Sequence, residues 1–248
     1  MILLPPELSE SVALLLILAS FLTSAISAAF GLGGGVAMLV VLLSVTPPAV
    51  ALPVHALVQI GSNAGRAWML RGDILTGIVL WFVPGSVVGI AIASLVFVSI
   101  PVRTLQLLLS LFILWSIWAP GIAARPVVEK SYLVIGLVTS FATMFLGATG
   151  PLLAAFLSPA RYGKSRTVAT HAACMSLQHA IKIAAFGLLG YVLLAWLPQV
   201  ILMIISGILG TALGRGLMLR IPEPLFVRAF QAVLTLLAAR LLYLSLIG

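Results

Sequence analysis

Charge is what this chain has least of. Its 248 residues carry 13 Lys+Arg and 5 Asp+Glu, so charged side chains make up 7% of the sequence, against about a quarter in a soluble domain. With 62% hydrophobic residues, the chain cannot hide its apolar surface from water, and a bilayer is its solvent. Acidic residues are absent from the depth of every apolar segment: Asp73 sits at a segment edge, and Glu7, Glu10, Glu129 and Glu223 fall in loops or termini. Cation pumps place carboxylates within the membrane, and hard metal ions need carboxylate oxygens, so both classes are disfavoured. The single cysteine, Cys174, excludes an internal disulfide and a multi-cysteine metal site and reads as a small apolar helix residue. Strict alternation of apolar and polar residues is also missing, which leaves helices rather than a barrel as the spanning structure. The first ten residues lack a basic cluster and contain Pro5 and Pro6, so they do not read as a secretory signal, and the first apolar segment is expected to stay in the mature protein.

What is present is a net charge of +8. The basic residues lie in short connections between apolar segments, the pattern of the positive-inside rule rather than of nucleic-acid binding. Apolar segments fall at about 11–45, 48–70, 74–99, 102–120, 131–158, 166–190, 193–214 and 225–247. The first is awkward: as one helix it would be about 50 Å long, against a hydrocarbon core of about 30 Å. The glycine string Gly31 to Gly35 breaks it near its middle, and Gly147 to Pro151 breaks the segment 131–158 in the same way.

Charge counting favours a hairpin at each break. If neither broken segment makes a net crossing, Arg71, Arg125, Lys130, Arg161, Lys164, Arg166, Arg215, Arg220 and Arg228 share one side and only Arg103 lies in a loop on the other. Full crossings at both breaks dilute that bias. The expectation is an all-α integral membrane fold of two related repeats, inverted relative to each other, each a glycine-broken re-entrant hairpin plus three transmembrane helices. Eight spans with parallel repeats are the alternative. The repeats are expected at 1–124 and 125–248, joined by a polar, proline-containing linker within one membrane domain, with both termini on the less basic side.

The repetition is legible residue by residue. His55 is followed by Asn63 and Arg66 eight and eleven residues on, and His171 by His179 and Lys182 at the same offsets. Glycine-rich spans come next, with Gly85 and Gly89, then Gly207, Gly210 and Gly214, which read as close helix packing. Related halves with helices broken at matching places are the mark of secondary transporters, whose substrate sites form at the repeat interface near the midplane.

Ionisable groups inside a membrane cost about 2.5–3.5 kcal/mol each at a helix centre and point to function. His171, Gln178, His179 and Lys182 form one polar stripe on their helix, and His55, Ser62, Asn63 and Arg66 form its counterpart. The breaks add a second device, because a half-helix starting near Val36 or Pro151 presents unpaired N–H groups and a positive dipole end. Proline suits such a first turn, and glycine lets backbone approach a ligand. The expected substrate site is therefore Gly33, Gly34, Gly35, His55, Asn63, Arg66, Gly150, Pro151, His171, Gln178, His179 and Lys182, and its donors suit an anion. In this scheme Lys182, with Arg66, neutralises the anion, and His171 and His179 hydrogen-bond it and couple its passage to protons. Arg240, in the last segment, reads as a packing or interface residue. The glycine string lacks the Gly-Lys-Ser/Thr ending of a phosphate loop, so nucleotide binding is not expected.

Taken together, Gly31-Leu32-Gly33-Gly34-Gly35, Pro48-Ala49-Val50-Ala51 and Gly147-Ala148-Thr149-Gly150-Pro151 resemble the sulfite exporter (TauE/SafE-like) family of permeases over nearly the whole chain. The resemblance implies export of sulfite or an organosulfonate across a bacterial inner membrane by a multi-pass, non-enzymatic protein without a cofactor or bound metal. A passive anion channel is the alternative class. A membrane metalloenzyme using His55, His171 and His179 is a more distant one, since it would lack the carboxylates such sites use.

Overall fold

In the computed structural model, residues 5, 8–30, 33–97, 100–118, 127–157, 159–191, 193–217 and 223–247 are described. They are helical throughout, with no strand among them. The helices are α1 (Glu10–Phe30), α2 (Gly34–Val45), α3 (Pro48–Met69), α4 (Thr76–Phe97), α5 (Val102–Trp118), α6 (Tyr132–Leu146), α7 (Gly150–Ala154), α8 (Pro159–Tyr162), α9 (Lys164–Leu188), α10 (Leu197–Leu217) and α11 (Glu223–Ile247).

The outside of the bundle is apolar. Leu14, Leu18 and Leu22 on α1 and Leu80 and Leu95 on α4 are exposed, Leu95 to 83%, whereas a row of buried polar side chains, including His55, Asn63, Gln178 and Lys182, lies within. This inside-out distribution is stable only against lipid. The stretches Glu10–Ala28, Thr76–Phe97 and Leu194–Leu213 are long and apolar enough to cross a bilayer by length and composition. The chain is a multi-pass membrane protein.

Both broken segments double back. At Gly33 the backbone takes φ 100°, a conformation that glycine adopts without the steric cost of a side chain, and α2 leaves along α1 in the opposite direction. Thr23 lies against Met38, and a Cβ on Gly34 would collide with Thr23 O and Ser27 Oγ. At Gly147, φ is 76°. By Phe156 the chain has returned to the first turn of α6, where the Tyr132 hydroxyl donates to Phe156 O at 2.8 Å. The returning arms are unequal. α2 has 12 residues and α7 has 5, and beyond the end of α7 the Tyr132 hydroxyl takes up the carbonyl of Phe156.

The first turn-back lies within the thickness of the bundle. Gly35 sits against Gln59, ten residues before the end of α3, so the apex is about 15 Å short of that end. In the other direction α1 runs about 26 Å from Ser27 back to Glu10.

The long helices pair across the two halves of the chain. α1 packs parallel to α10, with Ser20 Oγ donating to Met203 O at 2.6 Å, Ser206 Oγ to Ile17 O at 2.8 Å and Gln199 Nε2 to Ala13 O at 2.9 Å. α4 packs parallel to α6, and a Cβ on Gly85, Gly89 or Gly136 would collide with the partner's backbone. Such contacts need small residues, and close backbone approach is a main source of helix association in lipid. α5 packs on α11. α3 and α9 face each other antiparallel: His55 meets His179, and the α3–α4 turn reaches the start of α9 through Thr170 Oγ1, which accepts from Leu75 N at 3.0 Å, and through Ser165 to Asp73. Arg71, Lys130, Arg161 and Arg166 thus lie at one end of the bundle, and Arg103, at the start of α5, at the other.

Candidate functional site

The polar stripes of α3 and α9 and the two glycine breaks converge on one small cavity. Its walls are Ser27, Gly33, Gly35, Val36, Gln59, Asn63, Arg66, Ala148, Gly150, Pro151, His171, Met175 and His179. About 40 Å³ is open to the centre of a water-sized sphere, where one water needs about 10–15 Å³ by the same measure. The space suits a solute of a few heavy atoms.

Each break is fastened by a histidine of the polar helix that follows it. His55 Nε2 lies 2.8 Å from Gly35 O, and His171 Nε2 lies 3.0 Å from Gly150 O. A carbonyl only accepts, so in both rings Nε2 carries the donated proton. The two helices use equivalent side chains on equivalent glycines, one in the first turn of α2 and one in the first turn of α7. Pro151 follows Gly150 in that first turn, as expected. His55 also meets His179 edge to face, with centroids 5.7 Å apart. Nδ1 of each of these rings is buried without a partner.

The two cations at matching offsets are used differently. Arg66 lines the cavity, its side chain makes no ion pair or hydrogen bond among the described residues, and its Nε is buried and unpartnered. Lys182 is fully buried but does not line the cavity. Its Nζ donates to Thr143 O at 2.6 Å and Gly147 O at 3.3 Å, where α6 ends. Thr143 O also accepts from Gly147 N at 3.0 Å and Gly147 O from Thr143 Oγ1 at 3.2 Å, so Lys182 adds a cation at the negative dipole end of α6 and clamps the second break. Gln178 braces the same break, taking a hydrogen bond from Thr149 Oγ1 at 3.2 Å and giving one to Ser140 Oγ at 2.7 Å.

Of the residues expected at the site, Gly33, Gly35, Asn63, Arg66, Gly150, Pro151, His171 and His179 line the cavity. Gly34, His55, Gln178 and Lys182 stand behind its wall. Gly34 faces α1, and the other three hold the breaks in place. Sequence reasoning missed Gln59, Ser27 and Met175. Gln59 was within reach of it, since it lies midway between His55 and Asn63 on one helix face. Ser27 comes from α1, and no spacing rule ties it to α3. Arg240, expected to pack, caps α2 by donating to Ser44 O at 3.1 Å. No group of three or more metal-binding side chains occurs among the described residues.

A multi-pass helical bundle with an inward-facing polar cavity between two helix breaks defines a membrane transport protein of the permease type. A model of the sulfite exporter TauE/SafE family matches residues 16–241, and the chain belongs to that family. No curated protein and no solved structure matches it significantly.

Proposed function

We propose that the protein is a secondary transporter of a small oxyanion, sulfite or an organosulfonate, which it exports across the bacterial inner membrane with proton coupling. The carrying observation is Arg66: a guanidinium without a counter-ion, at a cavity between two glycine breaks. A guanidinium offers a planar fork of donors that matches an oxyanion, and an unpaired one inside a membrane bundle is costly unless a ligand completes it. The N-terminus of α2 adds N–H groups at the same wall.

The cavity histidines support proton coupling. A proton taken up by His171 or His179 and an anion held by Arg66 would share one cavity and attract each other. Anion and proton binding then strengthen each other by the same factor.

In this reading the halves 1–124 and 125–248 are inverted repeats, each with a re-entrant hairpin and three crossings. Antiparallel α3 and α9 and the reciprocal packing of α1 with α10 and α4 with α6 support it. The Arg71 end is cytoplasmic by the positive-inside rule.

The test is thermal stabilisation of the detergent-purified protein by sulfite, sulfonates, sulfate, carboxylates and neutral analogues, since a ligand of the folded state raises its melting temperature. A selective shift with sulfite or a sulfonate, lost in Arg66→Ala, is expected. Stabilisation only by metal cations or neutral solutes would overturn the anion reading. Accumulation driven by a pH gradient in proteoliposomes separates a coupled transporter from a channel.

A further inference from the structure

A second, larger space opens on the same helix seam. Because α3 and α9 run antiparallel, their faces can be followed from the cavity toward the Arg103 end. Gln59 and Met175 share the cavity, and His55 meets His179. One turn further, Leu52 packs against Gly147, whose carbonyl Lys182 also reaches. Beyond these, Pro48 and Ala49 of α3 and Leu189, Gly190 and Tyr191 after α9 enclose a vestibule of about 350 Å³, together with Phe97, Ile100, Val102 and Leu105.

Between the Lys182 level and the vestibule stands a cluster of rings. Phe97 contacts Phe145 at 5.8 Å, Phe186 at 5.5 Å and Tyr191 at 6.4 Å between centroids, and Phe186 contacts Tyr191 at 5.2 Å. Phe186 is fully buried, and Lys182 Nζ stands 5.7 Å from its centroid on the inner side. Phe97 and Tyr191 form vestibule wall on the outer side.

We infer that the vestibule is the second mouth of the transport route and that Phe97, Phe145, Phe186 and Tyr191 are its closed gate. The three phenylalanine rings offer no hydrogen-bond donor to an anion and, packed with Tyr191, leave no room for its water, so they block passage as hydrophobic constrictions do. Their mounting also lets them part. Phe97 and Phe145 ride on α4 and α6, which glycine contacts join into one body, whereas Phe186 and Tyr191 belong to α9 and the turn after it. Displacing α9 from the α4–α6 pair separates the two couples of rings. Lys182, tied to Thr143 O and Gly147 O while the gate is shut, is the first cation an anion meets on the inner side when it opens.

The inference rests on the transport reading but is tested without an anion. The sole cysteine is replaced as Cys174→Ala. Single cysteines are then introduced as Ala49→Cys, at the vestibule, or Leu52→Cys, behind the rings. A membrane-impermeant thiosulfonate is applied to reconstituted protein from the Arg103 end. Ala49→Cys should react fast, and Leu52→Cys roughly 100-fold more slowly behind a dewetted constriction. Adding Phe97→Ala with Phe186→Ala should raise the Leu52→Cys rate at least about 10-fold and leave that of Ala49→Cys unchanged. Tyr191→Ala, at the less buried edge of the cluster, should give a smaller rise in a protein whose melting temperature is kept. The gate is overturned if Leu52→Cys reacts as fast as Ala49→Cys with the rings intact, or if removing rings does not change it. Methanesulfonate and sulfate, which unlike sulfite do not attack thiosulfonates or disulfides, report separately on the substrate when added to the ring-intact Leu52→Cys protein: gated labelling that ignores both anions would sink the anion reading and leave the gate standing.

Discussion

Arg66 and Lys182 hold matching places in the sequence and do opposite things in the structure. The offset from His55 or His171 puts each on a polar helix face, and that much was legible. What decides their use lies elsewhere. α6 ends just before Gly147 with its terminal carbonyls within reach of Lys182 Nζ, and spacing along α9 carries no trace of where another helix stops. Arg66→Ala should therefore lower transport at least about 10-fold, as loss of a charge-assisted contact does, with a melting temperature close to wild type. Arg66→Lys should recover only part of the rate, because an ammonium lacks the planar fork. Lys182→Met should behave the other way in its first effect. It removes the charge-assisted hydrogen bonds to Thr143 O and Gly147 O, which keep only Gly147 N and Thr143 Oγ1 as partners, and should cost about 1–3 kcal/mol of stability in a detergent melt. A Lys182→Met protein of wild-type stability would restore that lysine to the role of anion ligand. His55→Ala breaks the fastening on Gly35 and should destabilise by a similar order, about 1–3 kcal/mol, with His55→Gln milder in the same melt.

At the scale of elements, the sequence announced both breaks, because glycine strings in apolar segments have few other uses and Pro151 marks a first helical turn. It also announced the long helices to within a few residues. The inequality of α2 and α7 was not legible, since both follow a glycine break in an apolar segment and spacing does not mark where the returning arm ends. Glycines divide into those that meet backbone and those that meet nothing. Gly34→Ala would drive a methyl group into Thr23 O, and Gly85→Ala into Leu133 O, contacts that only backbone displacement relieves. Each should sharply reduce the yield of monodisperse protein, while Gly187→Ala, with nothing within 4 Å of the new carbon, should be neutral or slightly stabilising as a helix interior change. Equal yields of all three would mean that the α1–α2 and α4–α6 approaches are looser than described.

For the molecule as a whole, composition placed the chain in a bilayer and charge counting oriented it. Fusions to alkaline phosphatase and to green fluorescent protein at each end of the chain should report both termini outside the cytoplasm, and a fusion after Arg71 should report inside. An N-terminal fusion that reports the same side as the fusion after Arg71 would replace the first hairpin with a full crossing. Which helix packs on which was not legible. Gly207 and Gly210 promised a close neighbour, but only three dimensions show that it is α1, some 190 residues earlier in the chain. That pairing sets a timetable for synthesis. Until α10 leaves the ribosome, Ser20 Oγ lacks the Met203 carbonyl it reaches and the α1 face that α10 covers stays open to lipid, and the nascent protein is an unfinished bundle throughout the insertion of α2 to α9. A chain stopped before residue 197 would keep every residue of the cavity wall and still lack the helix that seats its first hairpin, so membrane proteases should clear it faster than the full-length protein.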